Sequence, residues 1–223
     1  MWDGLIPARA GYFAHMSPPY DEVLHQVAHR TEHTGSLSRT DIAALTVWKR
    51  LTAQTRWATD LMSLPDSHVR AVTHRAVSAV RATALTRSQA ARQAYRIIAQ
   101  LPGLRTGDGL ASSAVLTAAA QTRMAVCDRR VQHAVTTLRR TLAPATGRYG
   151  LCLQLLDGLL HPVPPHADAF SARDVDAALY RLSNNSNTML NLITLPEHDR
   201  ALPGLRVPRS ACRPEDPDLR PGP

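Results

Sequence analysis

The chain has 223 residues, enough for one domain of roughly 100–200 residues with extensions. Apolar residues make up 44% of it and aromatic residues only 4%, so a core has to be built mainly from Ala, Leu and Val. The formal net charge of +8 favours an anionic partner such as nucleic acid, and Lys49 is the single lysine among the 26 basic residues.

No stretch approaches the roughly 20 consecutive apolar residues of a membrane span, and the amino terminus lacks a signal-peptide pattern. The three cysteines, Cys127, Cys152 and Cys212, are odd in number and show no paired spacing. We therefore expect reduced thiols without a disulfide or a zinc site, no membrane partner, and a cytoplasmic location, associated with the nucleoid in a bacterial cell.

The first twenty residues contain scattered glycines and prolines and predict a loose N-terminal arm (1–20). A weak helical pattern follows to about His33. Ser38 with Asp41 then forms a capping-box pattern, which predicts one long helix that ends before Pro65.

Further helices follow in chain order. Apolar positions from Val69 to Val80 share one helical face, and Thr86 with Gln89 opens the next helix with a second capping box. Helices are also predicted after Asp128, over residues 149–160 and, through a third capping box, after Ser171. Prolines dominate residues 196–223, which predicts a disordered tail. The expected fold is all-α, a compact domain of about eight helices spanning 21–195.

The stretch Leu101–Val131 is the most distinctive part of the chain. It begins with Leu-Pro-Gly-Leu-Arg-Thr-Gly-Asp-Gly, a glycine-rich turn between two helical patterns, and continues as a helix of small residues. A short apolar run, Met124 to Cys127, then ends at Asp128 in cap position. An aspartate here is most simply a helix cap that contributes about 1 kcal/mol.

In combination, these features resemble the helix–hairpin–helix DNA glycosylase superfamily, particularly its 8-oxoguanine glycosylase-like branch. The hairpin would be Leu101 to Ala111, and the apolar run would precede the aspartate, Asp128, at the spacing of that branch. The resemblance implies an all-α fold with a helix–hairpin–helix element and DNA as partner. No cysteine cluster suggests the iron–sulfur site found in some relatives, so no cofactor is predicted.

The resemblance also implies roles for individual residues. Backbone N–H groups of the hairpin would hold a DNA phosphate while the target nucleotide is flipped out of the duplex. Asp128 would stabilise the positive charge that develops on the sugar as the glycosidic bond breaks. The implied DNA contacts come from the hairpin and the start of the next helix: Gly103, Arg105, Gly107, Gly109, Arg129 and Arg130.

Strand-cleaving members of the superfamily use a lysine in or near the hairpin as a Schiff-base nucleophile. That neighbourhood here holds Arg105, Thr106, Asp108 and Gly109, and Lys49 is about 50 residues upstream in another helix. The sequence therefore predicts a monofunctional enzyme, which releases a base without cutting the strand. Asp108 places a negative charge where a phosphate would approach.

Other candidate residues have two interpretations each. Trp48 and Lys49 belong either to an amphipathic helix, with the ring in the core and the amine in solvent, or to the base pocket, where an aromatic ring stacks on a flipped base. His25, His29 and His33 recur at helical spacing, but the carboxylates around them do not favour a ligand set, so no metal site is predicted.

Three functions remain open from the sequence. The leading hypothesis is a base-excision glycosylase that uses Asp128. The second is a non-catalytic helix–hairpin–helix module that binds DNA through its arginines. The third is a helical protein-interaction domain whose charge follows from composition alone.

Overall fold

A computed structural model describes residues 2–15, 18–49, 56–105, 110–137, 148–160 and 170–183. Within these ranges the fold is all-α, without strands, as predicted. The sequence indicated about eight helices, whereas the described ranges contain ten. Their bounds are α1 Trp2–His15, α2 Pro18–Thr34, α3 Arg39–Trp48, α4 Arg56–Ser63, α5 Asp66–Arg81, α6 Arg87–Ile98, α7 Leu110–Ala119, α8 Arg129–Thr137, α9 Arg148–Leu160 and α10 Ala172–Leu182.

Helix α7 lies at the centre of the fold. Every residue from Ser112 to Ala119 is buried, and the helix contacts α2, α3, α5 and α6. Its small side chains allow four helices to approach it closely, and its buried hydroxyls at Ser112, Ser113 and Thr117 have hydrogen-bond partners. The surrounding core consists mainly of Ala, Leu and Val, as the low aromatic content predicted.

The three predicted capping boxes are confirmed. Ser38, Thr86 and Ser171 each accept a hydrogen bond from the backbone N–H three residues later, and the side chain at that position returns a bond. Such a box depends only on residues three apart, so it can be identified before anything is known of the tertiary structure.

The prediction of a loose N-terminal arm is wrong. Residues Trp2–His15 form α1, which buries Leu5, Ala8 and Tyr12 and packs against α10. Arg9 fixes this contact through an ion pair with Asp174, 2.5 Å between Nε and Oδ1. The burial of one apolar face offsets the poor helix propensity of the glycines and of the proline inside α1.

The long helix predicted after Ser38 is instead two helices. Helix α3 ends at Trp48, and Lys49 is its C-cap, with a backbone N–H that bonds the carbonyl of Leu45 at 3.0 Å. Residues 50–55 lie outside the described ranges, and α4 begins at Arg56. Residues 49–55 contain neither Gly nor Pro, so no local signal marks the break.

Two further predictions concern parts of the chain that the structure does not describe. The Pro-rich tail, 196–223, lies outside the described residues, as does 184–195 at the end of the predicted domain. Of the helices that are described, none combines the length and the apolar character needed to cross a membrane.

Candidate active site

The hairpin between α6 and α7 begins with a turn that requires glycine. Gly103 has a φ of 76°, which L side chains rarely adopt, and a Cβ atom built on it would overlap the indole of Trp57. Gly103 therefore serves the turn and the packing of α4. Because the Trp57 ring covers its Cα, a phosphate cannot approach the residue from that side.

The remaining hairpin residues are only partly described. Arg105 is exposed, and its carbonyl accepts a hydrogen bond from the hydroxyl of Tyr95 at 3.3 Å. Gly107 and Gly109, with Thr106 and Asp108, lie outside the described residues. Their proposed contacts with a phosphate stay predictions.

Two adjacent serines of α7 connect the hairpin to the segment before Asp128. The hydroxyl of Ser112 donates to the carbonyl of Leu104, and the hydroxyl of Ser113 accepts from the N–H of Cys127 at 3.3 Å. Both serines are buried. They bond the hairpin and the apolar run to two adjacent positions of α7, a role that the sequence did not suggest.

The apolar run Met124–Cys127 is non-helical and fully buried. Three neighbouring helices hold it in addition to the Ser113 bond. The N–H of Val126 donates to Asp176 of α10 at 2.7 Å, and the carbonyl of Ala125 accepts from the hydroxyl of Tyr149 of α9 at 3.1 Å. The Gln132 amide of α8 donates to the carbonyl of Cys127 at 3.0 Å. The backbone that leads to Asp128 is thus fixed by α7, α8, α9 and α10.

A disulfide between Cys127 and Cys152 of α9 corrects the prediction of reduced thiols. The two Cα atoms are 6.6 Å apart and both residues are buried. The sequence separation of 25 residues matches no standard motif, so the pairing is visible only in three dimensions. Because disulfides are rare in reducing compartments, the cysteines no longer support a cytoplasmic location, which stays a prediction.

Asp128 is partly buried and caps α8. Its Oδ1 atom accepts hydrogen bonds from the N–H groups of Arg130 and Val131, each at 2.9 Å. The simple interpretation of this residue as a helix cap is therefore confirmed. Capping through one oxygen also orients the whole carboxylate, which a catalytic role would require.

Lys49 shares an electrostatic environment with Asp128, although the two are far apart in the sequence. Its Nζ lies 3.8 Å from the centroid of the Trp48 ring, and the side chain is partly buried. Burial lowers the pKa of the amine to about 8, and the charge of Arg173 acts in the same direction. The carboxylates of Asp176, Asp128 and Asp21 oppose this shift.

Beneath Lys49 lies a buried ionic cluster centred on Arg173 of α10. Its guanidinium bonds Asp176, the hydroxyl of Tyr12 at 2.9 Å and the carboxylate of Asp21 at 3.3 Å. Burial raises the pKa of Asp176 to about 6, against the opposing charges of Arg173 and Lys49. The sequence did not single out these residues. The one signal was Asp176 itself, a carboxylate on the apolar face that α10 forms with Val175 and Leu179.

Trp48 does not offer a surface to a base in this arrangement. The residue is 3% exposed, Lys49 lies over its ring, and Arg173 and Tyr20 lie within 6 Å of the ring centre. Its Nε1 has no hydrogen-bond partner among the described residues. The ring belongs to the core, so the base-stacking interpretation does not fit this structure.

Arg129 and Arg130 follow Asp128 in the first turn of α8. Arg130 is exposed, and its guanidinium lies 4.7 Å from the centre of the Tyr180 ring. The side chain of Arg129 lies outside the described part of the structure. Both stay candidates for phosphate contacts.

Other clusters lie apart from Asp128. His29 and His33 stack at 4.4 Å, and no group of three potential metal ligands occurs within the described ranges. A pocket of about 620 Å³ lies between α2, the end of α5 and the end of α7, and its walls include His25, His29, Glu32 and Arg81. Asp128 and Lys49 are not part of that lining.

Comparisons with protein-family models, with curated proteins and with solved structures found no match to this chain.

Proposed function

We propose that the protein is a DNA base-excision glycosylase with Asp128 as its catalytic carboxylate. The observation that carries the proposal is the connection through α7, whose adjacent Ser112 and Ser113 bond the hairpin and the backbone before Asp128. A phosphate held at the hairpin would then lie at a fixed distance from the carboxylate. The net charge of +8 supports DNA as the partner, in the predicted cytoplasmic or nucleoid location.

The proposed reaction replaces the bond between sugar and base with a bond to water. The N-glycosidic bond breaks, the base leaves with a proton, and the oxygen of a water molecule bonds C1′ of the sugar. Positive charge develops on the sugar in the transition state, and the carboxylate of Asp128 stabilises it. Arg130, exposed on the first turn of α8, would contact a phosphate of the same strand.

The test is base release from duplex oligonucleotides that carry 8-oxoguanine, uracil or an alkylated purine. Asp128→Asn keeps an oxygen that can cap α8, so we expect a folded protein whose base release falls by about 100-fold or more. Asp66→Asn is the matched control, because Asp66 also lies at a helix start and accepts a backbone N–H, from Arg39 at 3.0 Å. If the wild type releases none of these bases, the enzymatic function is contradicted.

Binding measurements separate the two alternatives. A non-catalytic DNA-binding module would bind DNA in a salt-dependent manner that Asp128→Asn leaves unchanged and Arg130→Ala weakens. A protein-interaction domain would bind no DNA even at about 50 mM salt, where the electrostatic contribution is largest.

A second candidate activity is strand cleavage through Lys49, which the sequence disfavoured because this lysine is distant from the hairpin. The observation in its favour is the position of the amine over the Trp48 ring, 3.8 Å from its centroid, where burial lowers the pKa of Lys49 to about 8 although the charge of Asp128 opposes the shift. At pH 7 about one amine in ten is then neutral, compared with about one in three thousand for an ordinary lysine. A neutral amine adds to the aldehyde of an abasic sugar, loses water to form an imine, and allows β-elimination of the 3′ phosphate.

Borohydride trapping tests this step without requiring base release. Wild-type protein incubated with a preformed abasic duplex and borohydride should become covalently linked to the DNA. Lys49→Arg keeps the positive charge but cannot form the imine, so it should not be linked. Equal trapping of the two proteins would exclude Lys49 as the nucleophile.

A further inference from the structure

The ion pair between Arg173 and Asp176 is unusual in its burial. Arg173 is 7% exposed and Asp176 is 1% exposed, and both lie on α10, three residues apart. Arg173 extends the cluster to α1 through Tyr12 and to α2 through Asp21. The Asp176 carboxylate contacts the segment before Asp128, where it accepts the N–H of Val126.

Stability alone is a weak reason for such a pair. Removing two charges from water costs several kcal/mol per ion, and well-packed apolar residues of similar volume stabilise a core equally well or better. A buried ion pair can instead fix a specific geometry. Such a pair would hold a neighbouring group in place.

The geometry identifies that group as the backbone that leads to Asp128. One oxygen of Asp176 accepts the N–H of Val126 at 2.7 Å, and its other oxygen is held by Arg173. Two residues after Val126, the Asp128 carboxylate binds the first turn of α8. Asp176 therefore anchors the chain on one side of Asp128, and the helix start anchors it on the other.

We propose that Asp176 is a positioning residue for Asp128: its buried carboxylate, held by Arg173, fixes the Val126 backbone and thereby the direction of the Asp128 side chain. The functional part of this inference rests on the proposed glycosylase activity. Its structural part, that Asp128 loses its fixed geometry when Asp176 is removed, does not depend on that activity.

The principal variant is the double substitution Arg173→Met and Asp176→Leu. It replaces both charges of this pair with apolar groups of similar size and removes the acceptor for Val126. Asp21 loses its partner Arg173 in this variant, so circular dichroism and thermal unfolding first establish that the protein is folded. The Arg130 and Val131 amides, which Asp128 caps, should exchange with deuterium about tenfold faster. The capped amide of Gln89 in α6 should exchange at the wild-type rate.

Measuring kcat and KM separately distinguishes a positioning role of Asp176 from a general loss of structure. For the double variant we expect kcat for base release to fall by about tenfold to 100-fold with KM little changed, because a small misplacement of a catalytic group costs rate and leaves binding intact. Arg173→Met combined with Asp176→Asn keeps an oxygen for Val126 without setting the amide N–H of Asn against the guanidinium of Arg173, and should recover most of this loss. The control double variant Arg87→Gln and Asp157→Asn removes the ion pair between α6 and α9.

Three results would overturn the proposal. The first is wild-type exchange at Arg130 and Val131 in the folded double variant. The second is an equal loss of kcat in the control pair, and the third is no recovery with Arg173→Met and Asp176→Asn. If the wild type releases no base, the exchange measurement still decides whether Asp176 positions Asp128, and only the glycosylase proposal fails.

Discussion

The charge of Asp128 acts on the amine of Lys49, although Lys49 is the C-cap of α3 and Asp128 caps the start of α8. This relationship joins the two residues that the chemistry of base excision and strand cleavage would use. The sequence of the hairpin contains no lysine, but Lys49 from another helix interacts electrostatically with the candidate carboxylate.

The pKa of Lys49 can be measured directly, because it is the single lysine of the chain. Protein labelled with ¹³C at lysine Cε should give one lysine side-chain signal that titrates with a midpoint of about 8. Asp128→Asn removes a negative charge that favours the ammonium form, so its midpoint should be lower still. A midpoint near the ordinary value of 10.5 would mean that the amine is solvated rather than buried.

The same shift predicts a pH dependence of stability. The pKa of Lys49 is lower in the folded protein than in the unfolded chain, so the unfolded chain binds more protons between about pH 8 and 10.5. The free energy of unfolding contributed by this group should therefore rise with pH across that window. The free energies of unfolding of wild type and of Lys49→Met, measured in urea, should change differently across this window. The wild type should gain stability relative to the variant as the pH increases. Parallel pH profiles would contradict the shift.

Features that depend on neighbouring residues in the chain were predictable. The capping boxes at Ser38 and Thr86 were found because each is complete within four residues, and α7 was found as a helix because small residues follow the glycine-rich turn. Its burial was not predicted. The cap at Asp128 belongs to the same class. In each of these cases the local pattern agrees with the final fold.

Features that depend on the meeting of distant helices were not predictable. Asp176 and Lys49 come from separate helices, and no spacing rule links them to Asp128. The Cys127–Cys152 pair forms because α9 packs beside the apolar run, and α1 is helical because α10 covers its apolar face. Tertiary packing makes α1 helical despite its glycines and proline, and it brings the two cysteines together although no local signal pairs them.

Gly103 should be among the positions least tolerant of substitution. Gly103→Ala would place a Cβ into the Trp57 ring at a φ of 76°, so we expect a loss of about 2–4 kcal/mol from backbone strain and overpacking. Gly11→Ala is the matched control, since its Cβ would meet Arg181 at 3.6 Å, an ordinary contact, inside α1. Thermal unfolding should show a large loss for the first variant and no loss for the second. Equal effects would contradict the packing of Trp57 on the hairpin.

The disulfide should contribute measurably to stability. Cys152→Ser opens a covalent loop between residues 25 apart, and such a loop is worth about 3 kcal/mol. Reductant should lower the Tm of the wild type but leave that of Cys152→Ser unchanged. Cys212→Ser should behave as wild type in both conditions. Non-reducing peptide mapping that finds Cys127 and Cys152 as free thiols would exclude the bond.

The Ser112 hydroxyl offers the sharpest test of the link between the hairpin and α7. Ser112→Ala removes a buried hydrogen bond to the carbonyl of Leu104, which should cost about 1–3 kcal/mol of unfolding free energy. Ser78→Ala removes a similar hydroxyl bond, to His74, on an exposed helix face and should cost nearly nothing. If the hairpin delivers DNA to Asp128, base release by Ser112→Ala should also fall at a temperature where the variant remains folded. If Ser112→Ala is destabilised but keeps full activity, the bond between α7 and the hairpin is not needed for base release.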